Sequence, residues 1–390
     1  CGNNENDEGW HNWGWQKQFK YTKADSTQIW NDYKKVFHEM IPQTLDSLLP
    51  KEKNIYWSSS PSIGWGRKES LTRGDSHYWG VWWGKETFEI YEKKVGRFMS
   101  EYGFQGMPNL GTLKKVIPKH ELNFTSEAFK NHQKHPTGYE TINEYMERDY
   151  VVPKDFEDYA YVSQLLQARG MKIAIEAHRR AKPYCMGTLY WQFNDCWPVT
   201  SWSSLDYYGN WKAFHYQAKR SFENLLLSVN EENEIYKVFL VNDNFESYSV
   251  RLELELLSFD GKSLWENSKE VTVKENTSIN VYEIPKDEFE KFDLKSSVLK
   301  VNWEEVKINY FFAKPKDLKL QKPNIEIKII NDFMIEISSD VLAKDVFLSS
   351  ENEVFFEDNY FDLLPNDKRI IKLSKAAKEI KVKSLFDTIK

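Results

Sequence analysis

The chain has 390 residues, 41% hydrophobic and 29% charged, with no 18-residue apolar run, so it reads as a globular chain with room for more than one domain and not as a membrane-spanning one. Its net charge of -6 comes from 53 basic and 59 acidic residues interleaved throughout, which leaves no basic stripe for nucleic acid or an anionic membrane. With charge so evenly mixed the expected partner is a neutral molecule, and three cysteines (Cys1, Cys185 and Cys196) are too few for a disulfide scaffold and lack the spacing of a zinc site.

In chain order, the first stretch is Cys1-Gly2-Asn3-Asn4-Glu5, which lacks an initiator Met and every feature of a signal peptide; the start reads as a cut. From Asp25 the pattern turns helical, with Asp25 or Ser26 as cap and Ile29, Tyr33, Val36, Phe37, Met40 and Ile41 at spacings of three and four. Pro42 should kink or restart this helix before it ends near Leu48 to Pro50. Ile55 to Ser58 reads as a short strand, and Gly74 to Gly80 and Arg97 to Phe104 as two further strand ends. Residues 105–150 read as a polar insertion. A helix follows from Phe156 to about Ala181, then a fourth strand from Tyr184 to Phe193 and a last helix from Trp211 to Leu226. Short apolar strands alternating with helices and ending in polar, aromatic loops predict a parallel α/β fold. In a (β/α)8 barrel the catalytic groups sit at the carboxyl ends of such strands.

Past residue 226 the period changes to two. Val250, Leu252, Leu254 and Leu256 alternate with polar residues, and Asp260-Gly261 is a hairpin signal. Leu299, Val301, Val306, Ile308, Tyr310 and Phe312 continue the strand character, residues 314–317 read as a linker, and Ile325 to Ile337 and Ile370 to Leu373 suggest a second all-β unit. Two β-sandwich modules are expected. Composition changes at the same place: 13 of 15 Trp and all eight His precede residue 225, and Gly261 is the one Gly beyond it. Trp10, Trp13, Trp15, Trp65, Trp79, Trp82, Trp83, Trp197 and Trp202 stand in short turn-like stretches, a poor setting for a core. Aromatic faces on loops suit the C–H faces of sugars.

Cleaving a glycoside needs two carboxyl groups, one to protonate the leaving oxygen and one to attack or to activate water. Glu5 and Glu101 fit best, each flanked by small or aromatic residues at a candidate strand end, and Asp75 and Asp195 are weaker candidates that more often hold loops by Asx-type bonds. His132 and His135 read as surface histidines, Cys185 as a core thiol and Cys196 as a loop thiol.

Three blocks, Cys1-Gly2-Asn3-Asn4-Glu5, Ser100-Glu101-Tyr102-Gly103-Phe104-Gln105 and Tyr190-Trp191-Gln192-Phe193-Asn194-Asp195-Cys196-Trp197-Pro198, together resemble glycoside hydrolase family 2, and within it the β-mannosidase branch. The resemblance implies the second half of a (β/α)8 TIM barrel over residues 1–225, then immunoglobulin-like β-sandwich domains over 226–315 and 316–390. It implies Glu5 as general acid/base at the end of barrel strand 4, Asn4 beside it on the sugar's 2-hydroxyl, and Glu101 as nucleophile at the end of strand 7. His77 and Trp79 would lie near the sugar, Trp191 would wall the subsite, and Tyr102 would donate a hydrogen bond to the nucleophile or pack in the barrel. Asp195, in the third block, joins the substrate-binding set. Of two carboxyls so close, Glu5 is expected to have the raised pKa.

The implied reaction is retaining, exo-acting hydrolysis of terminal β-D-mannose from a β-mannoside or manno-oligosaccharide, with no metal and no cofactor. The other readings are a β-galactosidase or β-glucuronidase of the same family and a non-catalytic carbohydrate-binding protein. Family members carry further domains and the first barrel strands ahead of the acid/base motif, so the N-terminal remainder of the same protein is an expected partner. A periplasmic, secreted or lysosome-like setting is expected over the cytoplasm.

Overall fold

The computed structural model describes residues 2–51, 56–304 and 306–389; Cys1 and Ile55 of the stretches above lie outside them. The chain forms two compact units, Cys1–Gly103 with Ala177–Trp191, and Phe104–Glu176 with Gln192–Lys390. Among the described residues no helix is long and apolar enough to cross a membrane.

In the first unit the strand character predicted from the sequence is realised as short parallel stubs. Strands β1 (Ser76–His77) and β2 (Met99–Glu101) pair in parallel. Asn4 makes a parallel bridge to Ser60, and Met99 makes one to Thr188. The stretch Tyr184–Phe193 is narrower than its composition suggests because both ends are pulled elsewhere. The Tyr184 amide still donates to Ala181 in the turn that closes the preceding helix, and the Phe193 carbonyl accepts from Ser204 and Leu205. Between them Met186 and Leu189 donate to Arg97 and Met99, and Trp191 to Tyr102.

The expected helix after Asp25 is capped by Thr22, whose side chain and Asp25 form a reciprocal capping box. It runs over Lys23–Lys34, widens to a π-helix over Lys35–Met40 and resumes as Ile41–Leu48 with Pro42 in its first turn. Pro42 has no N–H to give to the carbonyl four residues back, and the wider turn just before it absorbs that missing link. None of these three segments has a fully buried residue.

The second unit contains what the sequence reading took for an insertion. Residues 105–150 fold into helices Leu110–Val116, Glu127–Asn131 and Gly138–Asp149, with Leu113, Phe129, Ile142, Tyr145 and Met146 buried. The helices are too short for a periodic signal, and only the Ile142, Tyr145, Met146 triplet carries helical spacing. The long helix is Phe156–Arg180, as expected to within a residue. The last helix is shorter than expected, Ala213–Ser221, because Leu225 to Leu227 already belong to a strand.

Seven antiparallel strands follow: β3 (Leu225–Glu232), β4 (Ile235–Asn242), β5 (Tyr248–Ser258), β6 (Ser263–Val273), β7 (Thr277–Pro285), β8 (Ser297–Trp303) and β9 (Val306–Phe311). They form sheets β3-β4-β7 and β6-β5-β8-β9 over a shared core in which the alternating Val250, Leu252, Leu254 and Leu256 meet Val238, Leu240, Leu299 and Val301. The β5–β6 hairpin turns at Gly261, whose φ of 87° is open to a residue without a Cβ. After a 3-10 turn at Pro315–Asp317 come β10 (Ile325–Asn331), β11 (Met334–Ser339), β12 (Ala343–Ser350), β13 (Phe361–Leu363), β14 (Lys368–Lys372) and β15 (Ile380–Lys383). Their sheets, β10-β11-β14 and β13-β12-β15, enclose Ile335, Ile337, Val346, Leu348 and Ile371.

One backbone feature stands at the head of the first unit. Glu5 is the N-cap of helix Asn6–His11 and holds φ 61°, ψ 7°, a left-handed conformation that costs a non-glycine residue roughly 1–3 kcal/mol. It persists because Glu5 N–H donates to the Ser60 carbonyl and the Glu5 carbonyl accepts from Gly9.

Two stability measurements check this account. Leu252→Ala should cost about 2–5 kcal/mol by hydrogen exchange of β5 and β8, whereas Phe245→Ala, at a residue 90% exposed, should stay within about 0.5 kcal/mol of wild type. Glu5→Gly and Glu5→Ala both delete the carboxylate, but only glycine relieves the backbone. The glycine variant should therefore be the more stable of the two by about 1 kcal/mol in denaturant unfolding.

Candidate active site

The parallel stubs of the first unit aim their carboxyl ends at one cluster. Glu5 follows the Asn4–Ser60 bridge, His77 ends β1 and Glu101 ends β2. The His77 ring is buried, with its Nδ1 2.9 Å from Glu5 Oε1 and 3.5 Å from Glu101 Oε2. Trp79 Nε1 donates to Glu101 Oε1 at 3.1 Å. One ligand atom from each of Glu5, His77 and Glu101 lies within 4.8 Å of the others, so the same three groups could also hold a metal ion.

Electrostatics singles out Glu101. Burial raises the carboxyl of Glu101, opposed by His77 and by the Trp79 hydrogen bond and reinforced by Glu5. Glu101 is the deeper of the two carboxyls, with 13% side-chain exposure against 20% for Glu5.

Around the cluster the chain is tightly held. Asn3, the neighbour of the predicted Asn4, uses its amide on the Tyr33 hydroxyl and the Ser58 carbonyl, while its oxygen accepts from Ser59 Oγ and the Asn6 amide. The Asn4 side chain is exposed. Glu8 is buried and accepts from Arg67 at 2.6 Å and from the Gly64 amide at 2.5 Å. A Cβ on Gly64 would come within 1.9 Å of Glu8 Oε2, so only glycine lets the 58–67 loop close on that carboxylate.

The remaining predicted residues divide. Trp191 is half exposed, its backbone tied to Tyr102. Tyr102 itself is fully buried, and its hydroxyl is 2.6 Å from Thr188 Oγ1 with the His178 ring packed edge-on at 4.7 Å. It packs in the interior and neither touches a ligand surface nor bonds Glu101, because successive strand residues face opposite sides. Asp195 belongs to the second unit, where it is buried and binds Ser201, Lys134 at 3.0 Å and Gln192 at 3.2 Å. It organises the 192–201 loop, the bland role the sequence allowed it.

Asp75, the other weak candidate, accepts from the hydroxyls of Ser60 and Ser100. Neither serine was singled out by the sequence; their only signal was position at strand ends. Trp79, Trp82 and Trp202 prove to be core residues, while Trp13, Trp65, Trp83 and Trp197 are exposed. His132 is half-buried, its Nδ1 against the Pro198 carbonyl, and His135 is half-buried too. Cys185 is buried and Cys196 exposed.

A family described as "Mannosidase Ig/CBM-like domain" matches residues 234–317, and one described as "Ig-fold domain" matches 320–388. The chain is 26% identical over 387 residues to β-mannosidase B of Aspergillus niger, covering 90% of this chain and 45% of that one. It is 30% identical to the β-mannosidase of Capra hircus, covering 71% and 35%. The crystal structure of a β-D-mannosidase from Dictyoglomus thermophilum superposes with a TM-score of 0.84 at 30% identity, over 98% of this chain and 47% of that one. The Amycolatopsis orientalis exo-chitosanase shares the fold, with a TM-score of 0.60 at 15% identity over 77% and 45%. The chain thus spans about half the length, or less, of the relatives it matches. With carboxylates at the ends of parallel stubs and two mannosidase-type Ig domains later in the sequence, the chain belongs to the β-mannosidase branch of glycoside hydrolase family 2.

Proposed function

We propose that this chain carries the catalytic carboxyl pair of a retaining exo-β-mannosidase that removes terminal non-reducing β-D-mannose. The observation that carries this reading is the separation of Glu5 and Glu101, which present oxygens within 4.8 Å of each other. Carboxyls about 5–5.5 Å apart leave no room for an intervening water and make one of them a nucleophile, whereas inverting enzymes need about 6.5–9.5 Å. Glu101 is the nucleophile: the Trp79 N–H it accepts favours its charged form, and the approach of the anomeric carbon offsets the burial that opposes it.

In the first step a Glu101 oxygen bonds to the anomeric carbon as the bond to the leaving oxygen breaks, and Glu5 gives that oxygen its proton. In the second, water gives a proton to Glu5 and bonds to the anomeric carbon as the Glu101 ester breaks, restoring both carboxyls. Glu5, His77, Trp79 and Glu101 carry this reading by their contacts, and Asn4 and Trp191 by their exposure toward solvent. Two parallel runs, 2–5 with 57–60 and 75–78 with 97–102 and 186–191, joined through the Ser60 side chain, support residues 1–225 as the second half of a (β/α)8 barrel. Residues 226–315 and 316–390 then form the two sandwich domains.

A 2-deoxy-2-fluoro-β-mannosyl inhibitor tests the assignment in an active protein containing this chain. It should form a covalent adduct on Glu101, equally well with a chelator present; mass spectrometry finding no adduct there would sink the retaining reading and favour a non-catalytic carbohydrate-binding protein. Glu5→Ala should slow substrates with poor leaving groups by 10²-fold or more, roughly the contribution of a general acid, and activated aryl mannosides far less, with azide restoring turnover. Equal losses on both would remove Glu5 from the acid/base role.

A further inference from the structure

Asp75 takes no part in the proton transfers above, yet it heads a hydrogen-bond chain through Ser60 and His77 that ends on Glu5, with Glu101 3.5 Å from the same ring nitrogen. Its Oδ2 accepts from the hydroxyls of Ser60 and Ser100. A serine hydroxyl has a single hydrogen. With that hydrogen given to Asp75, Ser60 Oγ can only accept from His77 Nε2, 3.1 Å away, so Nε2 carries a proton. Asp75 Oδ2 itself lies 3.8 Å from Nε2 and reinforces the same state.

The other ring nitrogen therefore meets the carboxyls with no free choice. Nδ1 is 2.9 Å from Glu5 Oε1, a distance that needs a proton between the two, because a nitrogen lone pair repels a charged carboxylate. That proton sits either on Nδ1, as an imidazolium between Glu5 and Glu101, or on Glu5, whose O–H then donates to the neutral ring. The charged and titratable groups facing His77 are Glu5 from the opening stretch, Glu101 from β2 and Asp75 from its own stretch; the 56–60 segment contributes the uncharged Ser60.

We propose that Asp75, acting through Ser60, is a positioning residue that holds His77 in its Nε2-protonated form, so that Nδ1 and Glu5 share the one proton that Glu5 delivers to the leaving oxygen. The proposal rests on the reading of Glu5 as acid/base. Its bookkeeping closes within the reaction: the shared proton leaves with the aglycone oxygen as the anomeric C–O bond breaks, and a proton from the hydrolytic water returns to the Glu5–His77 pair as the Glu101 ester is cleaved. The ring is thus a local store for a single proton beside a carboxyl that must be protonated in one half of the cycle and ionised in the other.

The test is the pH dependence of kcat/KM in an active protein containing this chain, with an unactivated aryl β-mannoside whose leaving oxygen needs the acid. In Asp75→Asn the new amide can donate to Ser60 Oγ, which frees the hydroxyl hydrogen for Nε2. Nδ1 must then carry a hydrogen and donate to Glu5, favouring the charged carboxylate. The alkaline limb, where Glu5 loses its proton, should move to lower pH by about one unit, the scale of one hydrogen bond or nearby charge. Ser60→Ala breaks the relay without changing charge and should move the limb the same way by a smaller amount; it carries the test alone if Asp75→Asn does not fold. With a dinitrophenyl mannoside, which needs no protonation, neither variant should move it. A uniform loss of rate with the limb unmoved, or a shift in Asp75→Asn with none in Ser60→Ala, overturns the proposal. If the fluoro-mannosyl adduct on Glu101 is also missing, the hydrolase reading itself has failed; if it forms, only the relay has.

Discussion

A buried imidazole between two carboxyls is the contact on which the first unit is organised. His77 is nearly inaccessible, and its Nδ1 reaches both Glu5 and Glu101. Burying two acids this close is unfavourable unless a proton or a cation lies between them. The ring stands between them, and hydrogen bonds on its far side keep it in place. Asp75 and Ser60 hold its far side, Trp79 donates to Glu101, and the pairing of β1 with β2 sets the ring against Glu101.

The scaffold carrying these groups is sparse. Parallel pairing in the first unit extends over two or three residues at a time, and precision comes from individual side chains closing loops. Glu8 locks the 58–67 loop through Gly64 and Arg67, and Asn3 spends its whole side chain on Tyr33, Ser58, Ser59 and the Asn6 amide. Against that rigid frame Glu5 can be kept in a left-handed conformation which an unconstrained chain would leave. Strain of this kind is retained where geometry at the reacting atoms matters more than stability.

The sandwiches of the second unit follow a different logic. Their strands alternate cleanly, and each has its own closed apolar core, the first around Leu252, Leu254 and Val301 and the second around Ile335, Ile337 and Val346. Leu257, Phe259, Val298, Leu318, Leu342 and Leu364 make a third apolar cluster shared by strands and connections of both. No single contact in these domains has the leverage of His77; their stability is the sum of many buried methyl groups.

How far the sequence reaches can be seen residue by residue. The period-two alternation from Val250 to Leu256 determined both the strand and its buried face, since a strand's pattern is local. The long helix at Phe156 was likewise legible from its spacing, and small and aromatic neighbours singled out Glu5 and Glu101, which the structure brings together. The helices of 105–150 were not, because each is too short to show a period and is held by burial of Leu113, Phe129 and Met146. Nor could the chain alone say that Tyr102 turns away from Glu101 to meet Thr188, that burial raises Glu101, or that Ser60 and Asp75 stand behind His77. Those facts rest on hydrogen bonds between residues 15, 17 and 72 positions apart. Local pattern records which side chains want to be buried or paired; only folding decides which distant partner each one meets.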